Sequence, residues 1–415
     1  MLELQSAVGL LGLTAIAWLF GRQAPLLVLR TVATGLLIQL VLGAALLKLP
    51  GMRSVFVALN DIVLALQRAT QAGTSFVFGY IGGGTAPFEV TKPASSFILA
   101  FQALPLILLV SALSALLFYW RVLPLVVRGF AWALRRTMGL GGAVGVATAA
   151  NIFIGMIDAP LLIRPYLKKL SRGELFIVMV VGMATVAGTV MVLYASILAP
   201  VVPEAMGHIL AASLISAPAA VMVARLMVPD DGPPTPGDLA PDPEVRSSMQ
   251  AVANGTMQGI TLLAAVIAML IVFVALVSLI NQILGLLPWG GEDGLRLEEL
   301  AAYVMWPLAW LCGVPASEAM AFARLLAVKT VINELAAYVD LAGNGGQALS
   351  ERSRLIATYA LCGFANFGSL GIVIAGMGAM APERRGEIVS LGFRCLIGGT
   401  LATCMTGAVV GILGT

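Results

Sequence analysis

Apolar residues fill windows of about 20 positions over most of this chain, the length that crosses the hydrocarbon core of a bilayer as a helix. Eight such spans are predicted: Leu4–Phe20, Thr31–Lys48, Ala94–Trp120, Gly173–Ala199, Met206–Met227, Gly259–Leu287, Leu355–Met380 and Glu387–Leu413. Between the second and the third, MRSVFVALNDIVLALQRATQ repeats its apolar residues at helical period and keeps polar ones opposite. That pattern predicts an amphipathic helix lying in the membrane interface rather than crossing it. VPDDGPPTPGDLAPDPEVR is too rich in proline and aspartate for a packed helix and reads as an exposed linker between two halves.

Two apolar regions do not fit a simple count of spans. Residues 137–170 and 301–338 are each too long for one helix and are interrupted by glycine and proline, within NIFIGMIDAP and within LCGVPASEA. Each is predicted to be a re-entrant hairpin. Non-helical backbone at that depth is tolerated only where protein buries it or where it lines a watery cavity, so the interruptions should form cavity walls. An internal echo follows: GMATVAG after the first hairpin and GFANFGS after the second place Thr185 and Asn366 at matching weak points. Three spans separate the hairpins, so the second should enter from the opposite face. The expected fold is thus an all-α integral membrane protein with about eight transmembrane helices, two re-entrant hairpins in an inverted repeat and an interfacial amphipathic helix. It divides into N-terminal spans with the interfacial helix (1–93), the third span with the first hairpin and first repeat (94–228), a linker with an amphipathic entry (229–258), and the sixth span with the second hairpin and second repeat (259–415).

Composition agrees with the pattern: of 415 residues, 60% are hydrophobic and 11% are charged, against about 25% charged in ordinary soluble domains. A net charge of +3 with no basic run interleaved with aromatics argues against nucleic-acid binding. Cys312, Cys362, Cys395 and Cys404 all lie in apolar segments without CxxC spacing, and neither a disulfide nor a metal site is expected of them. His208, the single histidine, reads as interfacial rather than catalytic. IGGG at 81–84 lacks a following GK[ST] and is not a phosphate loop. MLELQSAVGL has an acidic flank and no small-residue cleavage pattern, so the first apolar stretch is expected to be kept. With eight spans, the loops carrying Arg22 and Arg30, Arg121 to Arg136, Lys168 to Arg172, and Arg384 and Arg385 share one side. Positive charge marks that side as cytoplasmic, which places a multi-pass protein in the inner membrane with both termini on the periplasmic side.

Charge inside apolar segments is where chemistry is to be sought. A carboxylate at the centre of a membrane helix costs at least about 2.5 kcal/mol on insertion scales. Asp158 and Glu334 are therefore candidates for a wet interior. Plain structural alternatives are an ion pair of Asp158 with Arg164 or Lys168, and of Glu334 with Lys329 or Arg324. Glu318, in the predicted second hairpin tip, reads as the repeat-mate of Asp158 and ranks below Glu334 because it could cap the break. Asn151 and Asn366 could cap broken helices, which is compatible with a functional role because carbonyls exposed at such breaks bind Na⁺. A carboxylate dyad for intramembrane hydrolysis lacks a nucleophile and an oxyanion device, so an enzyme is not expected. A passive channel would need no pair of inverted hairpins.

GTSFVFG, NIFIG, KTVINEL, CGFANFGS and PERRGEI, in this order along the chain, resemble the concentrative nucleoside transporter family. The resemblance implies a homotrimer in the lipid bilayer whose protomers carry their site by an elevator-like motion. It also implies symport of a nucleoside or nucleoside-like small molecule with Na⁺, or with H⁺ in some members, and no organic cofactor. Protons would act through Asp158 or Glu334. Carried over by position, Glu334 is similar to the family's ribose-binding glutamate, completed by Asn366 and Ser369. The Na⁺ site corresponds to Asn151, Ile154, Thr185 and Val186, with Ile154 and Val186 acting through their carbonyls. Where the family reads Gly-Gln-Thr-Glu at the base, this chain reads Gly155-Met156-Ile157-Asp158. Two hydrogen-bonding side chains have become apolar. Each lost partner is worth about 1–3 kcal/mol, so ordinary pyrimidine nucleosides should be demoted. No arginine or lysine falls on the matched positions, which points to a neutral, hydroxyl-bearing solute.

Overall fold

The computed structural model describes residues 1–21, 25–89, 97–229, 232–237, 245–286 and 296–414, and every regular element among them is helical. The N-terminal part contains α1 (Leu2–Gly21), α2 (Pro25–Lys48), α3 (Met52–Phe78), α4 (Leu99–Gln102), α5 (Leu106–Tyr119) and α6 (Val122–Met138). A first set follows: α7 (Gly142–Ile154), α8 (Asp158–Leu161), α9 (Arg172–Ala184), α10 (Gly188–Leu198) and α11 (Ala205–Met227). After α12 (Ser248–Leu284) and α13 (Leu297–Leu311) comes a second: α14 (Ala316–Val331), α15 (Glu334–Ala342), α16 (Asn344–Gln347), α17 (Glu351–Leu361), α18 (Phe367–Met380) and α19 (Arg385–Leu413).

Among the described residues, seven helical stretches are long and apolar enough to cross a membrane: α1, α2, α4–α5, α9–α10, α11, α12 and the stretch ending in α19. The remaining expected span, Leu355–Met380, is split into α17 and α18, each too short by itself. The start of the third expected span (94–96), Leu287, Arg22 and much of the proline-rich linker (230–231 and 238–244) lie outside the described residues.

One amphipathic helix, α6, was not legible beforehand. α6 buries Pro124, Val127, Ala131, Leu134 and Met138 on one face, the spacing of a helix packed along one side. Arg225 of α11 donates to the carbonyls of Met138 and Gly139 at its C-terminal end, 2.5 and 3.3 Å away. α13 packs against α14. α3, which was expected, buries Phe56, Val63 and Thr70 at seven-residue intervals. Gly207 of α11 makes room for the Phe56 ring, since a Cβ there would stand 2.1 Å from it.

α12 begins well before the expected Gly259, with the Ser247 hydroxyl accepting from Gln250 N at 3.1 Å. At 37 residues it is about 55 Å long, well beyond the roughly 30 Å hydrocarbon thickness. Gly255 and Gly259 let it press onto α5: a Cβ at Gly255 would lie 2.7 Å from Ser111 O, and one at Gly259 3.1 Å from Leu108 Cα. The linker is not wholly free of the body. Thr235 is buried, and its N–H and hydroxyl donate to Glu174 at 2.7 and 2.5 Å. Glu174 also completes a capping box with Ser171 at the start of α9.

The largest correction concerns the second hairpin. Gly313, at φ +89°, turns the chain between α13 and α14, but α14 then runs unbroken for 16 residues, about 24 Å. The interruption that reaches the molecular centre is therefore Ile332–Asn333, at the far end of α14. Glu318 stays at the near end, where its carboxylate accepts from Ser350 N and Oγ at 3.0 and 2.9 Å. The positional mate of Asp158 is Glu334: each opens the short helix that follows its interruption. In the first hairpin the limb after the interruption is only α8 and a 3₁₀ turn, Arg164–Tyr166.

Candidate functional site

Four interruptions of helix meet in the middle of the molecule. Gly155, at φ +99° and ψ 172°, ends α7 in a conformation that other residues rarely adopt. A Cβ there would approach Ala187 Cβ to 2.9 Å, and one at Gly188 would approach Phe153 O to 2.6 Å. The hairpin tip and the break between α9 and α10 are thereby held together. Gly363, in the break between α17 and α18, lies against the first break, with its missing Cβ 2.9 Å from Met183 O.

The pocket at this junction is lined from the first hairpin by Ile154, Gly155, Met156, Ile157 and Asp158, and from the second by Asn333 and Glu334. Asn366 and Ser369 enter from the start of α18, Thr189 and Tyr194 from α10, and Leu262, Val266, Met269 and Phe273 from α12. All six residues selected for substrate, namely Met156, Ile157, Asp158, Glu334, Asn366 and Ser369, line this one pocket. Of the four selected for the ion, Ile154 lines it, while Asn151, Thr185 and Val186 are buried behind it.

Glu334 is buried and fixed by two donors. Tyr194 OH reaches Oε1 at 2.6 Å and Asn366 Nδ2 reaches Oε2 at 2.7 Å. Asn366 is the N-cap of α18, its Oδ1 accepting from Ser369 N at 2.7 Å, which leaves its NH₂ for the carboxylate. Asn333 caps α15 in the same way, accepting from Ala336 N at 2.9 Å. The ion pairs weighed as alternatives do not form: Lys329 donates to Ala360 O and Thr403 Oγ1, and Arg324 pairs with Glu299. Among the described residues Asp158 has no ion pair. The end of the pocket around it is apolar, with Met156, Ile157, Leu262, Val266 and Ile372.

Asn151 presents the sharpest polar anomaly. It is buried, and neither its Oδ1 nor its Nδ2 has a hydrogen-bond partner among the described residues, whereas buried polar groups are nearly always paired. Thr185, on the facing break, donates to Val181 O at 2.9 Å and keeps its oxygen lone pairs. Val186 N donates to Ser213 Oγ at 3.4 Å. These are oxygen donors suited to a hard cation such as Na⁺. No group of three or more His, Cys, Asp or Glu side chains that could hold a metal occurs among the described residues, and the four cysteines are buried free thiols. Sequence reasoning missed Tyr194 and the α12 wall. Tyr194 is 140 positions from Glu334, and no local pattern links the two.

Residues 208–411 match the family described as Na⁺-dependent nucleoside transporter, C-terminus, and residues 8–81 match its N-terminal counterpart. Residues 100–201 match a nucleoside-recognition gate. The chain belongs to the Na⁺-dependent, concentrative nucleoside transporter family. It is a multi-pass membrane transporter and not an enzyme. It is 33% identical to the nucleoside permease NupC of Helicobacter pylori, over 99% of this chain and 97% of the relative. It is 34% identical to human solute carrier family 28 member 3, over 99% of this chain and 60% of that longer protein. An uncharacterized transporter of Haemophilus influenzae is 36% identical over 99% of this chain and 98% of its own. The transporter CNTnw, solved in an inward-facing substrate-bound state, superposes with a TM-score of 0.89 at 34% identity, covering 99% of this chain and 98% of that one.

Proposed function

We propose that this chain imports nucleosides or nucleoside-like ribosyl compounds across the inner membrane by Na⁺ symport. The observation that carries this reading is the buried Glu334 carboxylate, held open to the pocket by Tyr194 and Asn366, with the unpartnered Asn151 amide buried behind the facing hairpin tip. A carboxylate is an acceptor-only group and suits the paired hydroxyls of a ribose, with Asn366 and Ser369 beside it. Na⁺ is taken by Asn151 and Thr185 side chains and by the carbonyls of Ile154 and Val186. Because Ile154 and Met156 are two residues apart on one tip, ion and substrate share a wall, and each favours binding of the other.

The apolar end of the pocket disfavours a base that offers several hydrogen-bonding edges, and Asp158 is the charged group left there to meet a donor. α7–α8 and α14–α15 act as re-entrant hairpins of an inverted repeat, and with the broken helices they travel as one body past α12. CNTnw has been solved in an inward-facing state, and substituted variants of it in outward-facing and intermediate states, which fits such a cycle. A homotrimer supplies the fixed scaffold. The long α12, with only Ala251, Gly255, Gly259 and Val277 buried, leaves apolar surface for lipid and neighbouring protomers. The arginines and lysines of the loops support an orientation with both termini on the periplasmic side. Proton coupling is the second reading, favoured by the absence of any ion pair at Asp158 among the described residues. Uptake of radiolabelled nucleosides into proteoliposomes, in Na⁺ against choline at fixed pH, tests the reading. Equal uptake in the two buffers would transfer the coupling to protons.

A further inference from the structure

The outer face of α6 has no part in the pocket or in the packing of the protein. The apolar span formed by α4 and α5 ends at Tyr119, with Trp120 next to it, and these two residue types gather where a helix leaves the hydrocarbon for the headgroups. Arg121 then turns the chain at φ +62°, and α6 starts directly after it. The inner face of α6 is buried against the body of the protein, from Pro124 to Met138. Its outer face carries two rows. Arg121, Arg128 and Arg135 follow one another at seven-residue intervals and are all exposed; seven residues make nearly two turns, so the three stand in line. Beside them stand Leu125 and Trp132, also seven apart and 70% and 69% exposed. Cationic and apolar rows side by side suit a helix that lies on a membrane surface, not one bathed in water.

The charges are not answered within the chain. Between Glu89 and Asp158 there is no acidic residue, and among the described residues none of Arg121, Arg128 and Arg135 forms an ion pair. A guanidinium offers a planar fork of donors that matches two phosphate oxygens, and an indole settles at headgroup depth. We propose that this face of α6 is a docking surface for anionic phospholipid, with the headgroup phosphate on Arg128 and Arg135 and the start of the acyl chains along Leu125 and Trp132. The surface is joined to the moving parts. α6 packs on α7, the first limb of the first hairpin, and the stem of Arg135 lies over Gly145 of α7, where a Cβ would stand 2.8 Å from Arg135 Cγ. Lipid held by Arg135 therefore bears on the hairpin from behind, and it raises the turnover of transport without touching the nucleoside pocket.

The test is nucleoside uptake in proteoliposomes of phosphatidylcholine with increasing phosphatidylglycerol, beside quenching of tryptophan fluorescence by brominated forms of the two lipids. In the wild type, phosphatidylglycerol should raise the maximal rate saturably at unchanged KM, and less so at high salt. Each arginine removed should raise the phosphatidylglycerol fraction needed for half-stimulation about fivefold. Arg128→Gln combined with Arg135→Gln should therefore keep the wild-type rate in pure phosphatidylcholine and gain little from the anionic lipid. The corresponding double lysine variant should recover part of the response, since charge returns without the fork. Arg324→Gln, which removes a guanidinium paired with Glu299, should respond as the wild type does. Brominated phosphatidylglycerol should quench the wild type more than brominated phosphatidylcholine does, and Trp132→Phe should lose most of that difference. A wild type indifferent to phosphatidylglycerol at low salt would overturn the proposal, as would a folded double glutamine variant stimulated like the wild type. Equal quenching by the two lipids would overturn it as well, and this measurement decides the matter without any transport. A double glutamine variant that loses its oligomeric state would assign the face to a second copy of the chain and overturn the lipid.

Discussion

Tyr194 and Glu334, 140 positions apart, are joined by a 2.6 Å hydrogen bond in which the phenol donates to the buried carboxylate. The bond ties the second limb of one broken helix to the tip of the opposite hairpin. It fixes one carboxylate oxygen while Asn366 fixes the other, so the lone pairs left over point to the pocket in a set direction. A hydrogen bond to a charged group is worth about 1.5–3 kcal/mol. Tyr194→Phe should accordingly raise KM for the native substrate by about tenfold or more, with assembly unaffected. Concentration-dependent uptake checks it, and an unchanged KM would mean that Asn366 alone orients the carboxylate.

Glu334→Gln should abolish uptake while the protein still assembles. The amide would turn an NH₂ toward either Tyr194 or Asn366, both of which donate, and would offer the ribose one acceptor oxygen in place of two. Uptake beside size-exclusion chromatography measures both outcomes, and undiminished transport would remove Glu334 from the substrate site.

Asn151→Leu should cancel Na⁺ stimulation and weaken nucleoside binding together. The unpartnered amide is replaced by a side chain with no oxygen, and the ion and the substrate share the Ile154–Asp158 tip. Nucleoside titrations in Na⁺ and in choline read the two effects at once. A variant that binds as the wild type does in both buffers would place the ion elsewhere.

Met156→Gln combined with Ile157→Thr should raise affinity for uridine, by about 1–3 kcal/mol if both new bonds form, and weaken binding of the native substrate, whose apolar face would meet unpaired polar groups. Isothermal titration decides it. Unchanged uridine affinity in a folded double variant would show that these two side chains do not meet the base. Ile157 is the more exposed to such a result, because its Cδ1 also packs against Gly376 of α18, 2.5 Å from where a Cβ would stand.

Gly155→Ala should disable transport and lower thermal stability. The φ of +99° with ψ 172° at Gly155 is an essentially glycine-only conformation that costs a residue with a Cβ about 1–3 kcal/mol, and the added methyl would stand 2.9 Å from Ala187 Cβ. Both penalties act on the contact that positions the first hairpin tip. Thermal unfolding in detergent with parallel uptake is the measurement, and a fully active, equally stable variant would show that the tip does not need this approach.

Much of this protein was legible in one dimension because a bilayer restricts what a chain can do. Spans must be apolar for about 20 residues, and polar groups among them must have a reason. Hence the spans, the interfacial pattern of α3, and the choice of Asp158, Glu334, Asn151 and Asn366 could all be made from residue type and position. What lay beyond reach depended on distance in space. The second interruption was misplaced at LCGVP because glycine and proline announce a turn, whereas the break at Ile332–Asn333 carries no such residue and is maintained by the Asn333 cap and the packing around Glu334. The pairing of Glu334 with Tyr194, the α12 wall of the pocket and the placement of Lys329 on the end of α17 are contacts between elements far apart in the chain. Local propensity says nothing of such contacts, and only tertiary packing, which brings the interruptions of two hairpins and two broken helices to one point, decided them.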